Sequence, residues 1–74
     1  MTDATRREID FSTFLLYRLA EHWGLSVPAT YRVLAQAGAF ENYVIPFYDV
    51  LHTLGEEYLV EDLTRYVRSR GVDI

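Results

Sequence analysis

The sequence predicts an all-α fold, a small compact bundle of about four short helices. Three observations lead to it. Apolar residues recur at helical spacing, three or four apart, along most of the chain. The four glycines, Gly24, Gly38, Gly55 and Gly71, fall where such runs stop. Serine, proline and clustered charges stand where helices open or close. With 74 residues, the chain reads as a single helical domain over residues 8–74, preceded by a disordered polar tail over residues 1–7.

The first helix is expected from Ile9 to Trp23. Phe11, Phe14, Leu15, Leu19 and His22 fall on one face, and Leu16, Ala20 and Trp23 widen it into the broad stripe of a central helix. Gly24 is its left-handed stop. Ser26 then reads as an N-cap, with Pro28 in a first turn that needs no donor from it. The second helix is expected to run to Ala37, bury a narrow seam of Val27, Tyr31, Leu34 and Ala35, and close at Gly38. Residues 39–43 form a short turn or a single helical turn.

Inside a helix Pro46 would cost about 3 kcal/mol, so it is placed at the start of a third helix, Pro46 to Leu54. Phe47, Val50, Leu51 and Leu54 are that helix's expected apolar face, and Gly55 its end. Tyr58 and Leu59 are left extended. The fourth helix is expected from Val60 to Arg70, burying Val60, Leu63, Val67 and Tyr66. Its charge order suits the helix dipole, with Glu56, Glu57, Glu61 and Asp62 near the amino end and Arg65, Arg68 and Arg70 towards the carboxyl end. Glu61 and Arg65 add an i, i+4 pair, and Gly71 is the stop.

Composition narrows the function. There is no cysteine, which excludes disulfides and thiolate metal sites, and His22 and His52 are the only imidazoles. No apolar run approaches the roughly 20 residues that span a bilayer, and the N-terminus lacks the pattern of a secretory signal. A cytoplasmic location and no membrane partner are therefore expected. A net charge of −4 removes the bulk electrostatic drive for nucleic-acid binding.

Asp49, His52 and Glu56 have the i, i+3, i+7 spacing of a metal or acid–base group. Gly55 interrupts the helix that would align them, and one imidazole with two carboxylates is a weak ligand set. Ser12, Ser26 and Ser69 have no base nearby in sequence, and no glycine-rich phosphate loop is present. The expectation is no enzyme, no metal and no cofactor.

One tryptophan, six tyrosines and four phenylalanines are many large rings for so small a core. Tyr17, Trp23, Tyr31, Tyr43, Tyr48, Tyr58 and Tyr66 join a large apolar area to a polar tip. Most are expected to line the rim of a thin core, and two or three to meet another protein. A rival reading makes the second and third helices a helix-turn-helix, with the Arg65–Arg70 end on DNA. The third helix, however, offers only Asp49 and His52 as strongly polar groups for reading bases.

The segment Phe47-Tyr48-Asp49-Val50-Leu51-His52-Thr53-Leu54-Gly55, followed by Glu57-Tyr58, Val60-Glu61-Asp62-Leu63 and Tyr66-Val67, resembles a family of short bacterial proteins classed only as a domain of unknown function. The resemblance extends from the aromatic first helix to Arg70-Gly71. This chain departs from the family pattern at Pro46 and in carrying arginine where lysine is usual. Members are often encoded beside a larger protein resembling an ADP-ribosyltransferase. The resemblance thus implies an antitoxin-like or accessory protein, monomeric or dimeric, that binds such an effector. The alternative is a helix-turn-helix-type transcriptional regulator. The expected partner-binding residues are Tyr48, Asp49, His52, Glu56, Glu57, Tyr58, Glu61 and Asp62.

Overall fold

The structure, a computed structural model, describes residues 2–74, and only the backbone at Ala4. It is all-α, with helices α1 (Asp3–Trp23), α2 (Val27–Gln36), α3 (Tyr48–Leu51) and α4 (Glu56–Ser69), and a π-helical turn over Phe40–Val44. The Cα radius of gyration is 11.6 Å, close to the roughly 11 Å expected of a folded chain this long. Apolar side chains left at the surface therefore reflect which faces are packed, not a loose chain.

Helix α1 is central and packs against both α2 and α4. It begins six residues before the expected Ile9. The Thr2 hydroxyl accepts from Thr5 N at 3.2 Å and Asp3 stands in the first turn, so a cap and a favourable charge support helix where no apolar residue does. Residues 3–7 of the expected polar tail are thus helical, while Met1 lies outside the described residues. At the other end Gly24 has φ +68°, and Leu25 N donates to Ala20 O at 3.0 Å. This closure requires the left-handed conformation that glycine adopts without a Cβ penalty.

The core joins Leu15, Leu19 and Ala20 of α1 to Leu34 and Ala37, Ala39 and Val44, Leu51, and Leu59, Val60, Leu63 and Val67 of α4. Phe11, Leu16 and Trp23 pack at its edge, whereas Phe14 and His22 of the expected stripe are exposed. Trp23 Nε1 donates to Thr64 Oγ1 at 2.9 Å, and Thr64 donates in turn to Val60 O at 2.6 Å. The end of α1 is thereby tied to the middle of α4.

The Ser26 hydroxyl caps α2, accepting from Ala29 N at 3.2 Å. The buried seam of α2 is Thr30, Leu34 and Ala37, rotated from the expected one: Tyr31 and Ala35 are exposed and Val27 is half-buried. Thr30 can be fully buried because its hydroxyl donates to Ser26 O at 2.9 Å. A buried hydroxyl with its partner in its own helix costs little. Leu34 is common to both seams, so apolarity locates the centre of the buried face and misses its Thr30 flank.

Pro46 stands in a turn two residues before α3. Having no N–H, it cannot donate to Asn42 O, and in a regular helix its ring would crowd that carbonyl. The preceding backbone widens instead, with Ile45 N reaching Phe40 O, five residues back, at 3.0 Å. Helix α3 is thus only Tyr48–Leu51, and of its expected apolar face only Leu51 is buried. Gly55 does not stop α3. Its φ of −69° and ψ of 151° make it the N-cap of α4, which starts at Glu56 and includes Tyr58 and Leu59. Leu59, expected to be extended, is a fully buried core residue.

Candidate protein-binding surface

The eight residues expected to meet a partner divide by the helix face they occupy. On α4 the core face is Leu59, Val60, Leu63 and Val67. Glu57, Tyr58 and Glu61 are exposed on the remaining arc, where Asp62 is half-buried. The first two turns of α4 thus present Glu57, Glu61 and a 56% exposed tyrosine ring away from the core.

Glu56 faces inward instead. Its Oε1 lies 2.7 Å from Arg18 Nε of α1, and Arg18 Nη1 also reaches Glu21 Oε2 at 3.2 Å. The Arg18–Glu56 contact is an ion pair by distance, without the alignment of a directed hydrogen bond at Oε1. Both side chains remain partly solvated, so the pair orients the start of α4 more than it stabilises it. Among the described residues the expected Glu61–Arg65 pair does not form.

Tyr48 is half-buried, its ring 5.4 Å from that of Phe11 and 4.6 Å from that of His52. His52 Nδ1 is 2.7 Å from Tyr48 O, and this bond fixes the imidazole over its own helix. Asp49 is exposed. The i, i+3, i+7 alignment of Asp49, His52 and Glu56 is broken because α3 ends before Glu56, which turns to Arg18. Among the described residues no group of three or more histidines and carboxylates is placed to hold a metal ion.

Exposed apolar residues also stand in and around α3. Phe47 is 53% exposed, Val50 59% and Leu54 37%, although all three were expected in the core. Their i, i+3, i+7 order imitates a buried stripe. The contrary signal is the spacing of Pro46 and Gly55, which leaves room for only about two helical turns, too little to bury a full face. On its inner side Phe47 meets Tyr43, with ring centroids 6.3 Å apart, and Tyr43 meets Tyr66 at 5.2 Å. Of the six tyrosines and the single tryptophan, Tyr17, Tyr31 and Tyr58 are exposed, whereas Trp23, Tyr43, Tyr48 and Tyr66 are half-buried.

The basic end of α4 is engaged within the chain. Arg70 lies 5.1 Å from the centre of the Tyr66 ring and donates to its hydroxyl at 3.1 Å. Arg68 Nη2 donates to Ile74 O at 3.4 Å.

Residues 10–70 match the model of a family described as protein of unknown function DUF3791. The chain belongs to the DUF3791 family. The match includes the π turn, α3 and α4 and all but the first turns of α1, so the surface around α3 and the start of α4 lies wholly within the family domain. No curated protein and no solved structure matches the chain. Among the described residues no helix is long and apolar enough to cross a membrane.

Proposed function

We propose that this DUF3791 protein is a small protein-binding module, an antitoxin-like or accessory partner of a neighbouring ADP-ribosyltransferase-like effector in the bacterial cytoplasm. The observation that carries the binding role is the exposure of Phe47, Val50, Leu54 and Tyr58 in a stretch of chain that also exposes Asp49, Glu57 and Glu61. Aromatic and aliphatic anchors among charged groups have the composition of an interface with a desolvated centre and a polar rim. The kind of effector follows from the resemblance carried by the Phe47–Gly55 block. A site that binds a nucleotide pyrophosphate is electropositive, and the carboxylates at the start of α4 complement its rim. The module itself performs no chemical step.

Co-expression with the adjacent gene product tests the reading. A stable complex is expected on size exclusion, weakened by Glu57→Lys combined with Tyr58→Ala. Both residues are exposed, so helix content measured by circular dichroism stays unchanged. A complex that survives the double change places the interface elsewhere. The DNA-binding alternative has less support, because α3 is four residues long and carries no arginine, lysine, asparagine or glutamine to read base edges. A gel shift with the upstream DNA across salt concentrations discriminates: retarded DNA with a steep salt dependence favours the regulator.

A further inference from the structure

A second surface lies apart from α3 and α4. Between α1, α2 and the π turn runs an open groove of about 470 Å³. Its α1 wall comprises Thr5, Glu8, Ile9, Ser12, Thr13 and Leu16. These positions recur at three- and four-residue steps over the twelve residues from Thr5 to Leu16, so the wall is one helix face about 16 Å long. Tyr31 of α2, Phe40 of the π turn and Ile45, which caps that turn, complete the lining. Ile9, Tyr31 and Ile45 are 47%, 53% and 43% exposed, so the groove is apolar and uncovered.

Its polar groups narrow what can fill it. The Ser12 hydroxyl donates to Glu8 O at 2.8 Å and the Thr13 hydroxyl to Ile9 O at 2.9 Å. Both hydroxyl protons are thus used by the helix's own carbonyls. The charged side chains on the wall are Glu8 and Glu41, with no arginine among the lining residues. Besides the hydroxyls of Thr5 and Tyr31, the groove offers apolar area and carboxylate acceptors, and its charge repels nucleic acid and acidic ligands and attracts cations. A closed pocket would bury most of a small molecule. An open groove with one wall three helical turns long fits a helix laid along it.

We infer that this groove receives an amphipathic helix of another protein, with aliphatic residues on the buried face and lysine or arginine at its flanks, the cations meeting Glu8 and Glu41. None of the eight residues expected to meet a partner around α3 and α4 lines the groove, so this site stands or falls independently of the effector-binding reading.

The full chain is titrated against two fluorescein-labelled model peptides about four helical turns long, one of leucine and lysine and its twin of leucine and glutamate, with binding read as anisotropy. The leucine–lysine peptide binds and its twin does not. Ile9→Asp and, separately, Ile45→Asp each weaken binding about tenfold or more. Two variants are used because Ile45 also closes the π turn, and helix content is checked for each. Glu8→Lys with Glu41→Lys abolishes binding. Glu21→Lys with Asp73→Lys, which changes net charge equally outside the groove, leaves it within about twofold. Equal binding of both peptides, no binding of either, or equal loss in the two charge variants overturns the assignment. So does a dimer in light scattering that dissociates on Ile9→Asp, since a second copy of the chain would then be the occupant.

Discussion

The two halves of the molecule solve the problem of a small core differently. The frame of α1 and α4 buries leucine and valine at successive helical positions. It is closed by a bond between residues 41 apart in sequence, Trp23 to Thr64. The segment from Ala39 to Leu54 is built from local turns, namely a π turn, a proline turn and one turn of helix. It contributes Ala39, Val44 and Leu51 to the core and leaves Ile45, Phe47, Val50 and Leu54 exposed. Both halves are rich in apolar residues, so composition does not separate them. What separates them is length: a long helix can turn one complete face inward, whereas a helix of one turn anchors a single residue and presents its neighbours.

The largest effect expected from breaking the frame is at Leu63, which is fully buried. Leu63→Ala should destabilise the domain by about 2–5 kcal/mol, read as a lower urea midpoint. In a chain this small such a loss is a large part of the total stability. Between the halves, Gly38→Ala is expected to cost about 1–2 kcal/mol in the same measurement. Gly38 has φ +65°, and an added Cβ would sit 2.7 Å from Asn42 Nδ2. Trp23→Phe keeps most of the ring and removes the indole donor to Thr64, so the loss should be about 0.5–1.5 kcal/mol. The smallest effect is expected at Val50, where Val50→Ser should move stability by no more than about 0.5 kcal/mol. A core-sized loss there would mean that the two halves are packed alike, and the surface proposed for the effector would lose its apolar centre.

Reading helices from sequence succeeded where one residue's chemistry sets the local backbone. Ser26 caps α2, Gly24 and Gly71 have positive φ at helix ends, and Gly38 reverses the chain after α2. It failed where two local options were nearly balanced. Gly55 stands between two helices, and its φ of −69° and ψ of 151° make it the N-cap of α4, whose Leu59 and Leu63 lie in the core. The candidate surface was legible in part. Asp49, Glu57 and Tyr58 are exposed as expected, but Glu56 is drawn inward by Arg18, a residue 38 positions earlier.

Spacing, caps and breakers were enough to establish an all-α chain and the approximate position of its helices, because those signals act within about one helical turn of the residues that carry them. Which face of each helix is buried was decided by packing. Phe14, Tyr31 and Val50 have the hydrophobicity of core residues and lie at the surface, while Thr30 is polar and fully enclosed. Burial depends on which neighbour a helix face meets, and a polar group that finds its partner within its own helix can take a place that an aromatic ring cannot fit.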